Sequence, residues 1–176
     1  MVVDMQKGFL YEKTAHIVPA VRRLCQKARE CGVFTLFSKL INTGDSNFVR
    51  WLGWKRLIGD EEIAFEPSLQ EFAKNVYPKR HYNSLTPEAL GDLRERGIEK
   101  LILCGLQSDG CVLKTAIDAF ENDIEPFVVG EATTTNLEPP LQEGTLAIIG
   151  HSIGKERIIT LAEAVKMMES NAPIKP

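Results

Sequence analysis

Apolar positions along the chain fall into two alternating rhythms. Short, largely apolar runs at Val33 to Ser38 (VFTLFS), Lys100 to Cys104 (KLILC), Ile124 to Val129 (IEPFVV) and Arg157 to Thr160 (RIIT) read as buried strands. Between them, apolar residues recur at spacings of three and four, the signature of a helix with one buried face. Val18, Val21, Cys25 and Ala28 form one such stripe, and Gly32 stops it. The next helix starts sharply: Thr86 can cap it, Pro87 suits its first turn, Leu85 can staple onto Leu90, and Gly97 closes it. Further helices fit Cys111 to Asn122, Leu141 to Ser152 and Leu161 to Glu169, although Gly144 and Gly150 weaken the middle one. Asn171 to Pro176 reads as a frayed tail. Strands alternating with helices predict an α/β fold with a parallel sheet. With no repeat, low-complexity tract or linker, residues 1–176 read as one domain.

Two stretches depart from this rhythm. Met1 to Asp4 is short for a buried strand, which raises the expectation that the natural chain begins a few residues earlier. Leu40 to Glu66 is long and rich in aromatic and turn residues, as functional loops are. Within it, Phe48, Trp51, Leu52, Trp54, Leu57 and Ile58 are spaced to give a helix an apolar face. Burying each large side chain is worth roughly 1.5–3 kcal/mol. That stripe predicts either an interface in a homo-oligomer, a dimer or larger, or packing onto its own domain.

Composition narrows the function. The chain has 176 residues, 44% hydrophobic and 26% charged, the balance of a soluble globular protein. Lys plus Arg number 21 against 24 Asp plus Glu, a net charge of −3, which argues against a nucleic-acid binder. No apolar run is long enough to span a membrane, and Asp4 and Lys7 break any signal-peptide pattern. Cys25, Cys31, Cys104 and Cys111 form no CxxC pair, so reduced thiols and a cytoplasmic location are expected.

Ligands in open α/β sheets bind beyond the carboxyl ends of the strands. Asp4 ends the first strand, Lys79 follows the extended Asn75-Val76-Tyr77-Pro78 segment, and Cys111 follows a short turn after Lys100–Cys104 to open a helix. Unpaired N–H groups and the positive end of a helix favour a thiolate there, and they can also bind an oxyanion at an attacked carbonyl. Asp4 can take the thiol proton, and a neighbouring lysine would hold the carboxylate charged and lower the thiol pKa. The competing reading is that Cys111 is one more small buried hydrophobe, like Cys104.

Three blocks resemble the signature segments of the isochorismatase-like cysteine hydrolase superfamily, which includes nicotinamidases, N-carbamoylsarcosine amidases and ureidoacrylate amidohydrolases. They are Val2-Val3-Asp4-Met5-Gln6-Lys7-Gly8-Phe9, Tyr77-Pro78-Lys79-Arg80-His81-Tyr82, and Gly105-Leu106-Gln107-Ser108-Asp109-Gly110-Cys111-Val112 with Thr115-Ala116-Ile117-Asp118-Ala119. Their order and separation agree, as does the later Val129-Gly130-Glu131-Ala132-Thr133. The resemblance implies a three-layer Rossmann-like fold, with a six-stranded parallel sheet of order 3-2-1-4-5-6 and helices on both faces. It implies a catalytic triad of Asp4, Lys79 and Cys111, a cis Leu106–Gln107 peptide, and an oxyanion hole made by the N–H groups of Gln107 and Cys111. Gln6 and Asp109 would support these residues, Asp109 alternatively serving only as a helix cap. Phe9, Trp51, Trp54 and Tyr82 are candidates for the pocket wall, or for core and interface. Arg80 and His81 flank the lysine and can bind an anionic group, or simply be solvated.

The expected activity is hydrolysis of a C–N bond in a small amide or ureido compound through a thioester, with no cofactor. Three departures from the family pattern bear on it. Family nicotinamidases hold a metal with an Asp and several His after the second strand. Here that stretch is Ser38-Lys39-Leu40-Ile41-Asn42-Thr43-Gly44-Asp45, and His16, His81 and His151 lie elsewhere, so no metal site is expected. True isochorismatases lack the cysteine and use the Asp as proton donor to a vinyl ether. Gly110 stands where the family commonly has a bulkier residue, and Gln107 where it has a smaller one. The alternatives are metal-free vinyl-ether hydrolysis by Asp4, and a lapsed hydrolase acting as a thiol sensor or binding module.

Overall fold

The computed structural model describes residues 1–170, so the expected frayed tail lies outside the described residues. Six parallel strands form one sheet: β1 Val2–Val3, β2 Phe37–Leu40, β3 Val76–Lys79, β4 Lys100–Leu106, β5 Glu125–Thr134 and β6 Ile158–Ile159. Their order is β3-β2-β1-β4-β5-β6, as the family resemblance implied. The helices are α1 Val18–Glu30, α2 Asn47–Leu52, α3 Asp60–Ile63, α4 Pro87–Glu95, α5 Leu113–Glu121, α6 Pro139–Ile153 and α7 Leu161–Ser170.

The sheet feeds two cores because successive side chains point to opposite faces. Val2, Phe37, Cys104 and Val129 join the cluster under α1 and α7, with Val21, Leu24, Ala164 and Met168. Their neighbours Val3, Leu36, Leu103 and Val128 join the cluster under α4, α5 and α6, with Leu93, Ala116 and Ile149. Thr86 does cap α4, its side chain accepting from the Ala89 N–H.

Two expected boundaries shift. The run read as Val33 to Ser38 forms ladder pairs only from Phe37, against Val2 and Val76, because pairing partners rather than apolar content bound a strand. β5 runs on to Thr134, pairing with the end of β4 across an irregularity between Leu103 and Gly105. Gly105 is required at that point. Its φ is 113°, and a Cβ there would lie 2.1 Å from the Val3 carbonyl oxygen.

The expected apolar helical face across Phe48 to Ile58 does not form. Gly53 adopts φ 66° and ends α2 after Leu52. Phe48 and Leu57 are buried, whereas Trp51 is 74% and Leu52 63% exposed.

Candidate active site

The sheet order brings three strand ends together. Asp4 leaves β1, Lys79 ends β3, and Cys111 lies in the turn after β4. Lys79 starts two strands away from Asp4, and its side chain reaches over β2 to place Nζ 2.7 Å from Asp4 Oδ2. Nζ also donates to the Tyr82 carbonyl at 2.8 Å. Ser38, on the intervening β2, donates its hydroxyl to Asp4 Oδ1 at 2.7 Å and accepts the Asp4 N–H at 3.2 Å. Both charged groups are buried, Asp4 completely. Asp4 adopts φ 48°, a left-handed conformation that aspartate tolerates better than most residues.

The segment Ser108–Val112 forms a wide turn before α5, in which the Gly110 and Val112 N–H groups both donate to the Gln107 carbonyl. The Leu106–Gln107 peptide preceding it is cis. Thr115 fixes the turn from below: its hydroxyl donates to the Cys111 carbonyl at 2.6 Å and accepts the Ser84 N–H at 2.9 Å. The Cys111 thiol sits within hydrogen-bonding reach of both Asp4 and Lys79. Asp4 Oδ2 has no conventionally aligned donor, so it faces only the Lys79 charge and the thiol.

The electrostatics correct one expectation. Cys111 is not a depressed-pKa thiol: burial, then the Asp4 carboxylate, push its pKa well up, against the opposing pull of Lys79. The sulfur therefore rests as a neutral thiol, because desolvation of a buried anion and the nearby carboxylate together outweigh the one ammonium. Burial also works against the Lys79 charge, but Asp4 and Cys111 more than offset it, so its pKa is raised.

Cys111 forms part of the floor of a pocket of about 310 Å³. Three of the four candidate wall residues line it, and their rings form a continuous aromatic surface with Phe48. Phe9 stacks on Trp54 at 5.5 Å, while Phe48 meets Trp54 at 5.5 Å and Tyr82 at 5.0 Å edge to face. Trp51 does not line it: Gly53 ends α2, leaving the Trp51 ring in solvent and Leu52 at the rim. A Cβ on Gly110 would lie 3.3 Å from the Tyr82 ring, so Tyr82 occupies the space a bulkier residue would need.

The remaining candidates divide. Gln6 is buried away from the pocket, exchanging hydrogen bonds with the Leu40 N–H and carbonyl and donating to the Ile63 carbonyl. It holds the segments after β1 and β2 in place. Asp109 lies exposed on the pocket rim and caps no helix. Gln107 lines the pocket, its side chain reaching Tyr11 and the Asn136 N–H. Arg80 and His81 are exposed and do not line the pocket.

The stretch after β2 does not fit a metal. Asn42 uses its amide N–H groups on the Trp54 and Arg56 carbonyls and its oxygen on Thr43 and Ser46, closing its loop. Among the described residues no group of three or more His, Cys, Asp or Glu is placed to hold one. Sequence reasoning missed Ser38, whose signal was a polar residue at the carboxyl end of an apolar strand. It also missed Phe48 as a pocket wall, hidden in the irregular loop.

Residues 1–148 match the family model described as an isochorismatase domain. The chain belongs to the isochorismatase family. It is 34% identical over 87 residues to isochorismatase family protein 2A of Dictyostelium discoideum, covering 46% of this chain and less than half, 44%, of that protein. It is 25% identical over 184 aligned residues to the ureidoacrylate amidohydrolase RutB of Methylorubrum extorquens, covering 83% of this chain and 73% of that one. The fold superposes on that of a cysteine hydrolase from Pseudomonas syringae pv. phaseolicola with a TM-score of 0.81 at 23% identity, covering 97% of this chain and 91% of that chain. Family membership thus rests on sequence, and the architecture agrees with it.

Proposed function

We propose that this family member is a cysteine-dependent amidohydrolase that cleaves a C–N bond in a small amide or ureido compound. The observation that carries the reading is the buried Lys79–Asp4–Cys111 group on the floor of an open pocket. Asp4 Oδ2 accepts the thiol proton as Cys111 Sγ attacks the carbonyl carbon. The N–H groups of Gln107 and Cys111 stabilise the tetrahedral oxyanion. Asp4 returns the proton to the leaving amine, then takes one from the water that hydrolyses the thioester. Lys79 pairs with Asp4 Oδ2 and fixes its position beside the thiol. A thiol that rests neutral suits this sequence, since transfer to Asp4 is then part of the attack rather than a prior equilibrium. No step passes through a metal.

The test is a screen of small amides and ureides for ammonia release, followed by mass spectrometry of enzyme quenched during turnover. An acyl adduct on Cys111 is expected, and Cys111→Ala should lower kcat by several orders of magnitude. Full activity in that variant sinks the mechanism. Turnover of a vinyl ether without an adduct favours Asp4 as a lone proton donor. A reactive thiol with no turnover favours a sensor.

A further inference from the structure

The amidohydrolase reading leaves the substrate open, and the pocket's charge pattern narrows it. Its wall is the aromatic surface of Phe9, Trp54, Phe48 and Tyr82, whose rings meet at 5.0–5.5 Å. Among the described residues no lysine, arginine or histidine lines it. Lys79 lies beneath the floor, and its charge is already engaged by Asp4 and the Tyr82 carbonyl. Arg80 is exposed outside the lining, where its charge acts on Asp45. The one carboxylate on the rim is Asp109, close enough for its charge to act on the Tyr82 phenol. Asp109 has no cationic partner among the described residues.

An aromatic wall with an unpaired carboxylate at its edge and no basic residue in its lining attracts positive charge, chiefly through the carboxylate, and any ring that turns its face to the pocket adds to that pull. For the same reason it opposes a negative one, which would lose its hydration against aromatic rings and face Asp109 without a counter-ion. We infer that the substrate is a small amide bearing an amine or other cationic group on the part that enters the aromatic pocket, and that Asp109 selects it over carboxylate-bearing amides. At about 310 Å³ the pocket lies at the small end of the range for small-molecule sites, which limits such a substrate to a short acyl or ureido unit. The inference names the substrate class of the proposed amidohydrolase and rests on that reading for its catalytic meaning.

The test separates recognition from chemistry. Binding of three matched probes, benzamide, 4-(aminomethyl)benzamide and 4-carboxybenzamide, is measured by calorimetry on full-length Cys111→Ala protein, so that no turnover is needed. The aminomethyl probe should bind at least about tenfold more tightly than the carboxy probe, with benzamide between them. Adding Asp109→Asn should shrink that ratio severalfold by weakening the aminomethyl probe. Because Asp109 is exposed, this variant is expected to fold, which circular dichroism checks. Equal or tighter binding of the carboxy probe overturns the inference, as does a ratio that Asp109→Asn leaves unchanged, or failure of all three probes to bind at millimolar concentration. Absence of an acyl adduct in the unmodified enzyme would instead defeat the amidohydrolase reading, whatever order the probes bind in.

Discussion

Ser38 meets Asp4 twice, donating to its carboxylate and accepting its backbone N–H, inside a region closed to water. Removing that hydroxyl leaves two buried polar groups unpaired at once. Ser38→Ala should therefore cost about 1–3 kcal/mol, read as a lower urea midpoint with an unchanged slope. Because Asp4 would then be aimed by Lys79 alone, kcat should fall by roughly tenfold to a hundredfold, with little change in KM. A merely structural serine would lower stability without moving kcat per folded molecule. Asp4 itself was legible as a candidate because it closes an apolar strand within a characteristic block. Ser38 was not, because its significance lies in a contact 34 residues away.

The joint between β1 and β4 sets the distance between the two reacting groups. Gly105 passes so near Val3 that a methyl group would collide with backbone on the neighbouring strand, and Asp4 is the next residue along. Gly105→Ala should lose about 1–3 kcal/mol through its positive φ alone, and more from separating the strands. Activity should fall beyond what the loss of folded protein explains. Thr86→Ala supplies the contrast. It removes the α4 cap, costing about 1 kcal/mol, but α4 touches none of the reacting groups, so the specific activity of the folded fraction should be unchanged. Denaturation curves paired with kcat for the two variants check both statements. Helices such as α1 and α4 could be read from local signals, namely apolar spacing, caps and terminal glycines. The fate of Phe48 to Ile58 could not, since a single left-handed glycine sends Phe48 and Leu57 inward and leaves Trp51 outside.

For the whole protein, burial of thiols and of Lys79 makes stability depend on alkaline pH with a definite sign. Burial raises Cys25 to about 12 and Cys104 to about 11, and pushes Cys111 up as well, from an ordinary value of 9.0. Above pH 9 the unfolded chain loses these protons while the folded one keeps them, so unfolding is favoured as pH rises. Lys79 acts in the same direction, because its raised pKa contributes stability below 10.5 that is lost as pH climbs through the folded value. Urea midpoints should thus fall steadily between pH 9 and 10.5. A midpoint that rises over that interval refutes the assignment. The exposed Trp51, Leu52 and Ile58 make a second case. We expect a dimer or larger assembly by light scattering at micromolar concentration, with Trp51→Ala weakening it. Trp54→Ala, removing a pocket wall, should raise KM and leave the mass unchanged.

Local patterning established the alternation of strands and helices and the apolar faces that build two cores, and it put Asp4, Lys79 and Cys111 near strand ends, while the three blocks that carry them were recognised by family resemblance. Those features depend on residues near one another in the chain, where spacing, caps and turn chemistry act directly. The protonation of Cys111, the partnership of Ser38, the aromatic wall that excludes Trp51 and the missing basic residue in the pocket depend on burial and on the order of strands. Desolvation and packing are properties of what surrounds a group in space, and a side chain that reaches over a neighbouring strand to its partner, as Lys79 does over β2 to Asp4, leaves no local mark in the sequence.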